Sequence, residues 1–152
     1  ETSQQAIPYE EIFRNKMGFT DLDEARRFVR ETGCDWLSVA VGSVHGAIAE
    51  GMLDKKKPAA KLDVGHIQAL RDALDIPLVL HGGSGIEQEY INRGVKAGIA
   101  KINVGTEIRQ PYERTVKEGG TVAQAQDAVY RRTRELLSGF LQVTGSADRL
   151  RA

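Results

Sequence analysis

Three short apolar runs alternate along this chain with stretches of helical periodicity, and each run ends in a turn rich in small residues. The runs cover residues 36–41, 76–80 and 100–104. Strand and helix signals that alternate at spacings of about 20–40 residues are typical of βαβ units and a parallel sheet. The first run has no polar alternation, so we expect a strand buried on both faces. The alternation therefore predicts an α/β protein.

Helix signals fill the segments between these runs. Thr20 with Asp23 resembles a capping box for a helix that carries Leu22, Ala25, Phe28 and Val29 on one apolar face and ends at Gly33. Asp63 is placed to cap a second helix. Residues 1–19 are predicted to be a loop with one turn around 9–13.

The second half of the chain continues the pattern. Ser84 and Glu87 make an S-x-x-E capping box for a helix that is predicted to reach about Lys96 and close at Gly98. A further helix is predicted from about residue 106. After a break at 119–120, a long C-terminal helix is predicted over 121–142, with its apolar stripe formed by Val122, Val129, Thr133, Leu136, Leu137 and Phe140.

Three strands are too few for a self-contained sheet of this kind, because an open three-stranded parallel sheet leaves two unpaired edges. A complete (β/α)8 TIM barrel needs about 250 residues, whereas this chain has 152 and begins at Glu1 without an initiator methionine. We therefore predict that residues 1–152 form a single partial β/α-barrel domain. It would be the C-terminal part of a TIM barrel with parallel strands and a long C-terminal helix, the N-terminal half being absent from this sequence.

Charge and cysteine content exclude several functional classes. Lys plus Arg equals Asp plus Glu at 21 each, so nothing favours a nucleic acid or a membrane surface as partner. No apolar stretch approaches the roughly 20 residues that span a bilayer. Cys34 is the only cysteine, which excludes a disulfide scaffold and indicates a reducing cytosol. We expect Cys34 to be a half-buried structural thiol rather than a nucleophile.

Two histidine-containing turns, 42–46 and 81–85, follow the first two predicted strands. Their histidines, His45 and His81, therefore lie at carboxyl ends of neighbouring strands, where parallel α/β proteins assemble their sites. Because adjacent strands are about 4.8 Å apart, both imidazoles can converge on one cation, although a catalytic zinc usually has three protein ligands. The alternative is two neutral, hydrogen-bonded histidines. His66, in a first helical turn, is expected to be exposed or to make a local contact.

Small residues after the second and third strands favour an anion site. The glycines beside His81 allow a close approach of backbone to ligand, and Ser84 is predicted to open a helix whose N–H groups attract anions. Residues 103–106 repeat this arrangement. The pattern predicts phosphate binding after both strands, or, for Ser84, a helix cap only. Lys55–Lys57 is a solvated loop or a flap that steers an anionic substrate.

Three motifs carry a family resemblance. Gly-Ser-Val-His-Gly, His-Gly-Gly-Ser-Gly and Lys-Ile-Asn-Val-Gly-Thr-Glu, in this order, closely resemble the class II (metal-dependent) fructose-bisphosphate and tagatose-bisphosphate aldolases, over most of residues 20–112. The resemblance implies a cytoplasmic lyase of carbohydrate metabolism, as in glycolysis. It would cleave a ketose 1,6-bisphosphate to dihydroxyacetone phosphate and glyceraldehyde 3-phosphate, and it would work as a homodimer or homotetramer.

The resemblance also implies roles for individual residues. His45 and His81 would be two of three histidine ligands to a catalytic Zn²⁺, a Lewis acid for the ketose carbonyl. Asn103 would hydrogen-bond the ene-diolate oxygens. A monovalent cation, Na⁺ or K⁺, would lie near backbone carbonyls around Gly42 and Gly82. The residues expected to hold the substrate phosphate are Gly46, Gly82, Gly83, Ser84, Gly105 and Thr106.

The sequence departs from the family pattern in informative ways. No segment matches the region that bears the third zinc histidine and the proton-transferring aspartate, so residues 1–152 alone are expected to be inactive. Many relatives carry Asp where Gly105 stands. A sugar-phosphate-binding module without turnover is therefore the main alternative. His-Gly-Gly also occurs in α/β-hydrolase esterases, but this sequence has no Gly-x-Ser-x-Gly nucleophile motif.

Overall fold

The computed structural model describes residues 8–43, 60–83 and 85–150, with side chains to residue 148. Its sheet has three parallel strands in the order β1-β2-β3. The strands are β1 (Leu37–Val39), β2 (Leu78–Leu80) and β3 (Ile99–Ile102). The predicted parallel α/β arrangement is confirmed, and all three strands lie within the three apolar runs or one residue outside them.

Six α-helices accompany these strands in the part of the chain that is described. They are α1 (Tyr9–Arg14), α2 (Leu22–Thr32), α3 (Val64–Leu74), α4 (Gln88–Ala97), α5 (Thr106–Lys117) and α6 (Val122–Glu135). A π-helical turn, Leu136–Phe140, and a 3₁₀ turn, Ser146–Leu150, follow α6. None of the helices within these residues is long and apolar enough to cross a membrane.

The chain divides into two compact units. The first, Glu1–Asn103, contains the sheet and α1–α4, and the second, Val104–Ala152, contains α5, α6 and the two terminal turns.

The core of the first unit lies between the sheet and its helices. Helix α3 contacts both α2 and α4, and β2 is buried along its whole length. Removing this apolar surface from water is the main driving force for forming the unit, at about 25 cal/mol per Å². The largest fully buried side chains are Val41, Leu62, Ile67, Leu70, Leu78, Leu80 and Ile91.

The first strand is buried on one face only, so the expectation of burial on both faces is wrong. Val39 and Val41 are buried, whereas Ser38 is exposed and Trp36 is 57% exposed. Successive side chains of a strand point to opposite faces, so Val39 and Val41 lie on the buried face, and Trp36 and Ser38 lie on the other one. An apolar run in a sequence shows only which residue types are present. Whether both faces of the strand are buried depends on the parts of the protein that pack against each face.

Helix α2 ends at Gly33 as predicted, with Gly33 in the left-handed conformation (φ 63°). Its N-cap is Asp21 rather than Thr20, and the Asp21 carboxylate accepts hydrogen bonds from two backbone N–H groups. Thr20 has another role, because its hydroxyl accepts a hydrogen bond from the Ala40 N–H at 2.8 Å. The predicted apolar face is also only partly buried, since Phe28 is 52% exposed.

The structure confirms the predicted cap of α3 and the predicted end of α4. Asp63 caps α3 as predicted, its carboxylate accepting from the His66 N–H at 2.9 Å. Helix α4 closes at Gly98 as predicted but begins only at Gln88, and Glu87 is its N-cap residue. The predicted capping box is therefore wrong, because Glu87 has extended backbone angles (φ −63°, ψ 139°) and not the helical ones of a third helical residue.

The second unit is a pair of packed helices. Thr121 begins α6 with a capping box that it shares with Gln124. Regular α-helix ends at Glu135, earlier than the predicted residue 142, and the π-helical turn continues the chain. Of the predicted apolar stripe, Leu136 is buried, whereas Val122 and Leu137 are 59% and 46% exposed.

Candidate active site at the strand ends

His81 and Asn103 meet at the carboxyl ends of β2 and β3. His81 directly follows β2, and Asn103 directly follows β3. The Asn103 N–H donates to the Leu80 carbonyl at 3.0 Å, which extends the strand pairing by one residue. This pairing places the side chains together, with Asn103 Nδ2 at 3.0 Å from His81 Nε2. Two residues that were predicted to share a site are therefore in direct contact.

The contact with Asn103 orients the imidazole of His81. A hydrogen bond at one ring nitrogen fixes the direction of a histidine ring. His81 is exposed. The site thus presents an oriented and accessible imidazole beside a side-chain amide.

Glycines shape the turn that follows His81. Gly82 and Gly85 have φ values of 73° and 85°, and Gly83 is buried. Positive φ is costly for residues with a side chain. Backbone geometry therefore explains two of these glycines, independently of any ligand.

Gly105 and Thr106 lie at the start of the second unit. Gly105 is the N-cap residue of α5, and it has no side chain that could accept hydrogen bonds from the first N–H groups of the helix. Such an N-terminus carries a partial positive charge that suits anions. Gly105 has φ −121°, and a Cβ there would meet nothing within 4 Å. Neither strain nor crowding requires glycine at this position.

Three predicted site residues, His45, Gly46 and Ser84, lie outside the described residues, as does Lys55–Lys57. Their metal and phosphate roles stay predictions, whereas the predicted capping box of Ser84 is wrong, as described above for α4. Within residues 8–43, 60–83 and 85–150, there is no group of three or more His, Cys, Asp or Glu residues that could hold a metal ion. Cys34 is half-buried, as expected for a structural thiol.

His66 differs from its expectation of exposure or a local contact. It is half-buried, and its Nε2 lies 2.7 Å from the Thr20 carbonyl oxygen, 46 residues away in sequence. Its ring also packs against Phe19, with centroids 5.6 Å apart. His66 therefore has a structural role that ties α3 to the segment before α2.

Tyr9 was missed by the sequence analysis, although it contacts the turn after β1. Its hydroxyl donates to the Gly42 carbonyl at 3.1 Å and accepts from the Lys61 N–H at 2.7 Å. The contacts join positions 33 and 52 residues apart, and no local pattern encodes such a distance. The available signal was the aromatic pair Tyr9 and Phe13 at helical spacing in an otherwise polar segment.

These features define an α/β protein with a histidine–asparagine pair at the ends of adjacent parallel strands. Residues 3–149 match the protein-family profile described as "Fructose-bisphosphate aldolase class-II". The chain belongs to the class II fructose-bisphosphate aldolase family.

Solved structures agree with this assignment. The chain is similar to the YdjI aldolase from Escherichia coli K12, with 32% identity and a TM-score of 0.66 over 90% of this chain and 58% of that one. It is also similar to a proposed fructose-1,6-biphosphate aldolase from Coccidioides immitis, with 25% identity and a TM-score of 0.69 over 86% of this chain and 45% of that one.

A third structure, the fructose-bisphosphate aldolase (Fba) from Campylobacter jejuni, shares the fold at 16% identity and a TM-score of 0.58. That match covers 82% of this chain and 45% of the other. Across the three comparisons the chain spans about half the length of the structures that it matches.

Proposed function

We propose that the protein containing these residues is a metal-dependent aldolase. It is a lyase that cleaves a ketose 1,6-bisphosphate of the fructose or tagatose type to dihydroxyacetone phosphate and glyceraldehyde 3-phosphate. The observation that carries the proposal is the hydrogen bond between His81 and Asn103 at adjacent strand ends, in a chain of the class II aldolase family.

The donor chemistry at His81 fits a zinc ion. Imidazole nitrogen is a common zinc ligand. His81 is exposed at the carboxyl end of β2, and its ring lies beside the Asn103 amide. In the proposal His45 and His81 are two of the ligands, and the third lies in a part of the protein that this chain does not contain. A bound zinc supplies Lewis-acid polarisation of the ketose carbonyl.

Asn103 is the proposed catalytic residue of this chain. Its amide lies at the strand end beside the metal-ligand candidate, and it is a hydrogen-bond donor. It would orient the His81 ring and donate to oxygen atoms of the three-carbon unit on which negative charge develops. Fixed donors aimed at developing charge are among the largest contributions to catalysis.

The remaining site residues keep the roles that the resemblance implies. A Na⁺ or K⁺ ion is proposed near the carbonyls around Gly42 and Gly82; the Gly42 carbonyl also accepts from Tyr9. The uncapped start of α5 supports an anion role for the residues beside it. The positions proposed to contact substrate phosphate are Gly46, Gly82, Gly83, Ser84, Gly105 and Thr106.

We further propose that these residues are the C-terminal part of a closed TIM barrel. One face of the three-stranded sheet supports this, because Trp36, Ser38 and Lys101 on it are exposed, and closure would turn this face toward the barrel interior. The whole protein is proposed to be a cytoplasmic homodimer or homotetramer, which light scattering would measure.

The test starts from the native polypeptide that carries this sequence. Its intact mass gives its length, and its zinc content and its cleavage of fructose and tagatose 1,6-bisphosphates are then measured. We expect His81→Ala to lose bound zinc and turnover. Asn103→Ala should lower metal affinity or activity about 10- to 100-fold, as removal of a partner of a metal-bound histidine does. His66→Gln is the matched histidine control and should retain both properties. Retention of zinc and cleavage by His81→Ala would contradict the proposal.

A sugar-phosphate-binding module without turnover is the second candidate. It is favoured by the start of α5, where Gly105 has no side chain that caps the first helical N–H groups and these groups suit an anion. Calorimetry with a ketose bisphosphate distinguishes the two candidates. Binding by a protein that holds no zinc and cleaves nothing indicates the module.

A further inference from the structure

Strand β3 contains an extra residue where it pairs with β2. Leu78 of β2 pairs with Ile99, but the next residue, Val79, pairs with Lys101. Ala100 is therefore the extra residue of a β-bulge, a feature that is rare between parallel strands and is often found next to active sites. Ala100 and Lys101 are both exposed, whereas Ile99 is buried. The usual alternation of side chains is thus interrupted at this point of the strand.

The bulge determines on which face of the sheet Asn103 lies. Beyond the bulge, Leu80 pairs with Ile102, and the Asn103 N–H donates to the Leu80 carbonyl at 3.0 Å. Asn103 is therefore level with His81, and Asn103 Nδ2 lies 3.0 Å from His81 Nε2. In a regular strand without the bulge, the register would shift by one residue, and such a shift turns every later side chain to the opposite face. Asn103 would then point away from His81.

The regular register would also bury Lys101. Its side chain would join the face that carries Leu78 and Leu80, both of which are fully buried. No polar or charged residue is buried among the residues that the structure describes, so this part of the core offers no counter-ion. An ammonium group without a counter-ion is costly to bury. The regular register is therefore unfavourable for this sequence.

The bulged register gives Lys101 a favourable environment instead. Lys101 lies on the same face of the sheet as Ser38 and Val79, because these residues pair with one another across the three strands. Its ammonium lies 5.0 Å from the centroid of the Trp36 ring, within the range of a cation–π contact. The charge of Lys101 thus favours the register in which Asn103 meets His81.

We propose that Lys101 is a positioning residue for Asn103, because its charge excludes the regular register of β3 and so maintains the bulge that places Asn103 beside His81. The inference rests on the proposed function, since this register has a purpose only if His81 and Asn103 belong to the active site. The effect of Lys101 passes through the backbone of β3 and requires no contact with metal or substrate. Charged side chains that exclude an alternative strand register are a general means of specifying one fold.

The test compares Lys101→Met with Lys101→Arg in the native polypeptide that carries this sequence. Methionine is apolar and flexible, so it can enter the core in the regular register, whereas arginine keeps the positive charge. Lys96→Met is the matched control, because Lys96 is an exposed lysine of α4.

Two measurements separate position from stability. A nuclear Overhauser effect between the Asn103 side-chain amide and the His81 ring, recorded on the zinc-free protein, reports their contact. The kcat for ketose bisphosphate cleavage at saturating Zn²⁺ is measured for Lys101→Met, Asn103→Ala and the double variant. If Lys101 acts only by positioning Asn103, the effects of the two substitutions are not additive.

We expect Lys101→Met to weaken the Overhauser effect and to lower kcat by about 10-fold, toward the loss expected for Asn103→Ala. The double variant should be no slower than Asn103→Ala alone, because an Asn103 that has left the site cannot be lost again. Lys101→Arg should restore both the contact and kcat, and Lys96→Met should match the wild type.

Three results would overturn the inference alone. They are an unchanged Overhauser effect in Lys101→Met, losses in kcat that multiply in the double variant, and a Lys101→Arg variant that behaves like Lys101→Met. A wild type that binds no zinc and cleaves no ketose bisphosphate overturns the proposed function, and the inference falls with it.

Discussion

The Lys101 ammonium lies 5.0 Å from the centroid of the Trp36 ring, across the full width of the three-stranded sheet. Trp36 immediately precedes β1, and Lys101 belongs to β3. Both share one face of the sheet with Val79 of the central strand, since Ser38 pairs with Val79 and Val79 pairs with Lys101. The long side chains therefore form a bridge over β2, where Val79 is buried.

This bridge should contribute measurably to stability. Lys101→Met keeps most of the side-chain volume but removes the charge, and we expect it to lower the free energy of unfolding by about 0.5–1 kcal/mol, the usual size of an exposed cation–π contact. Lys101→Arg retains a cation above the ring and is the control. Urea denaturation checks both variants. Equal loss in the two would mean that the charge above Trp36 does not contribute.

Asp63 should make stability depend on pH in the acidic range. Burial favours a raised pKa for this carboxyl, but the hydrogen bond from the His66 N–H and the Lys16 ammonium at 3.0 Å together hold the pKa below its ordinary value of 3.8. A pKa lowered by folding gives stabilisation that is complete above the ordinary pKa and is lost as pH falls through the folded value. Wild-type stability should therefore decline below about pH 4.

Asp63→Asn is the matched variant for that experiment, because asparagine caps a helix about as well as aspartate. It should keep α3 capped while losing the charge-dependent part of the stabilisation. We expect the stability difference between wild type and Asp63→Asn to shrink toward zero as pH falls through the acidic window. Denaturant unfolding at several pH values measures it. A constant difference across that window would exclude Asp63 as the titrating group.

The two strand-end glycines should respond unequally to substitution. Gly42→Ala places a Cβ at 2.6 Å from backbone and ring atoms in a residue with φ 114°, so we expect a loss of about 1–3 kcal/mol from strain and crowding. Gly105→Ala has open space and φ −121°, so it should lose only the preference of an N-cap for glycine over alanine, about 1 kcal/mol or less. Thermal and urea unfolding compare the pair. Equal losses in the two variants would show that strain and crowding at Gly42 do not contribute.

Local signals in the sequence were sufficient for much of the fold. Asp63, Gly33 and Gly98 act at the helix ends that their chemistry predicts, because caps and left-handed turns depend on neighbouring residues. The proximity of His81 and Asn103 could also be predicted, because the carboxyl ends of adjacent parallel strands meet at one edge of the sheet.

Contacts between segments that are distant in the chain could not be predicted from the sequence. Thr20 looks like a helix cap, yet its hydroxyl accepts from Ala40, and its carbonyl meets His66. Tyr9 reaches Lys61 across 52 residues. Each of these polar groups has several possible partners, and only the packing of the first unit selects among them.

The ion pair between Glu107 and Arg132 should couple α5 to α6. Arg132 Nε and Nη2 both donate to one Glu107 oxygen, and both side chains are about a third exposed, at 37% for Arg132 and 33% for Glu107. Hydrogen bonds from Glu107 and Glu135 raise the pKa of Arg132, so the pair stays charged across ordinary pH.

A double-mutant cycle with Glu107→Ala and Arg132→Ala isolates this coupling. We expect about 1 kcal/mol at low ionic strength, the upper end for partly exposed pairs, and a smaller value in high salt. Asp127 and Arg131 lie four residues apart on α6 and serve as a matched control pair. Their coupling should be about 0.3–0.5 kcal/mol, because a pair within one helix adds no tertiary link. Equal coupling in the two cycles would show that Glu107–Arg132 does not hold the helices together.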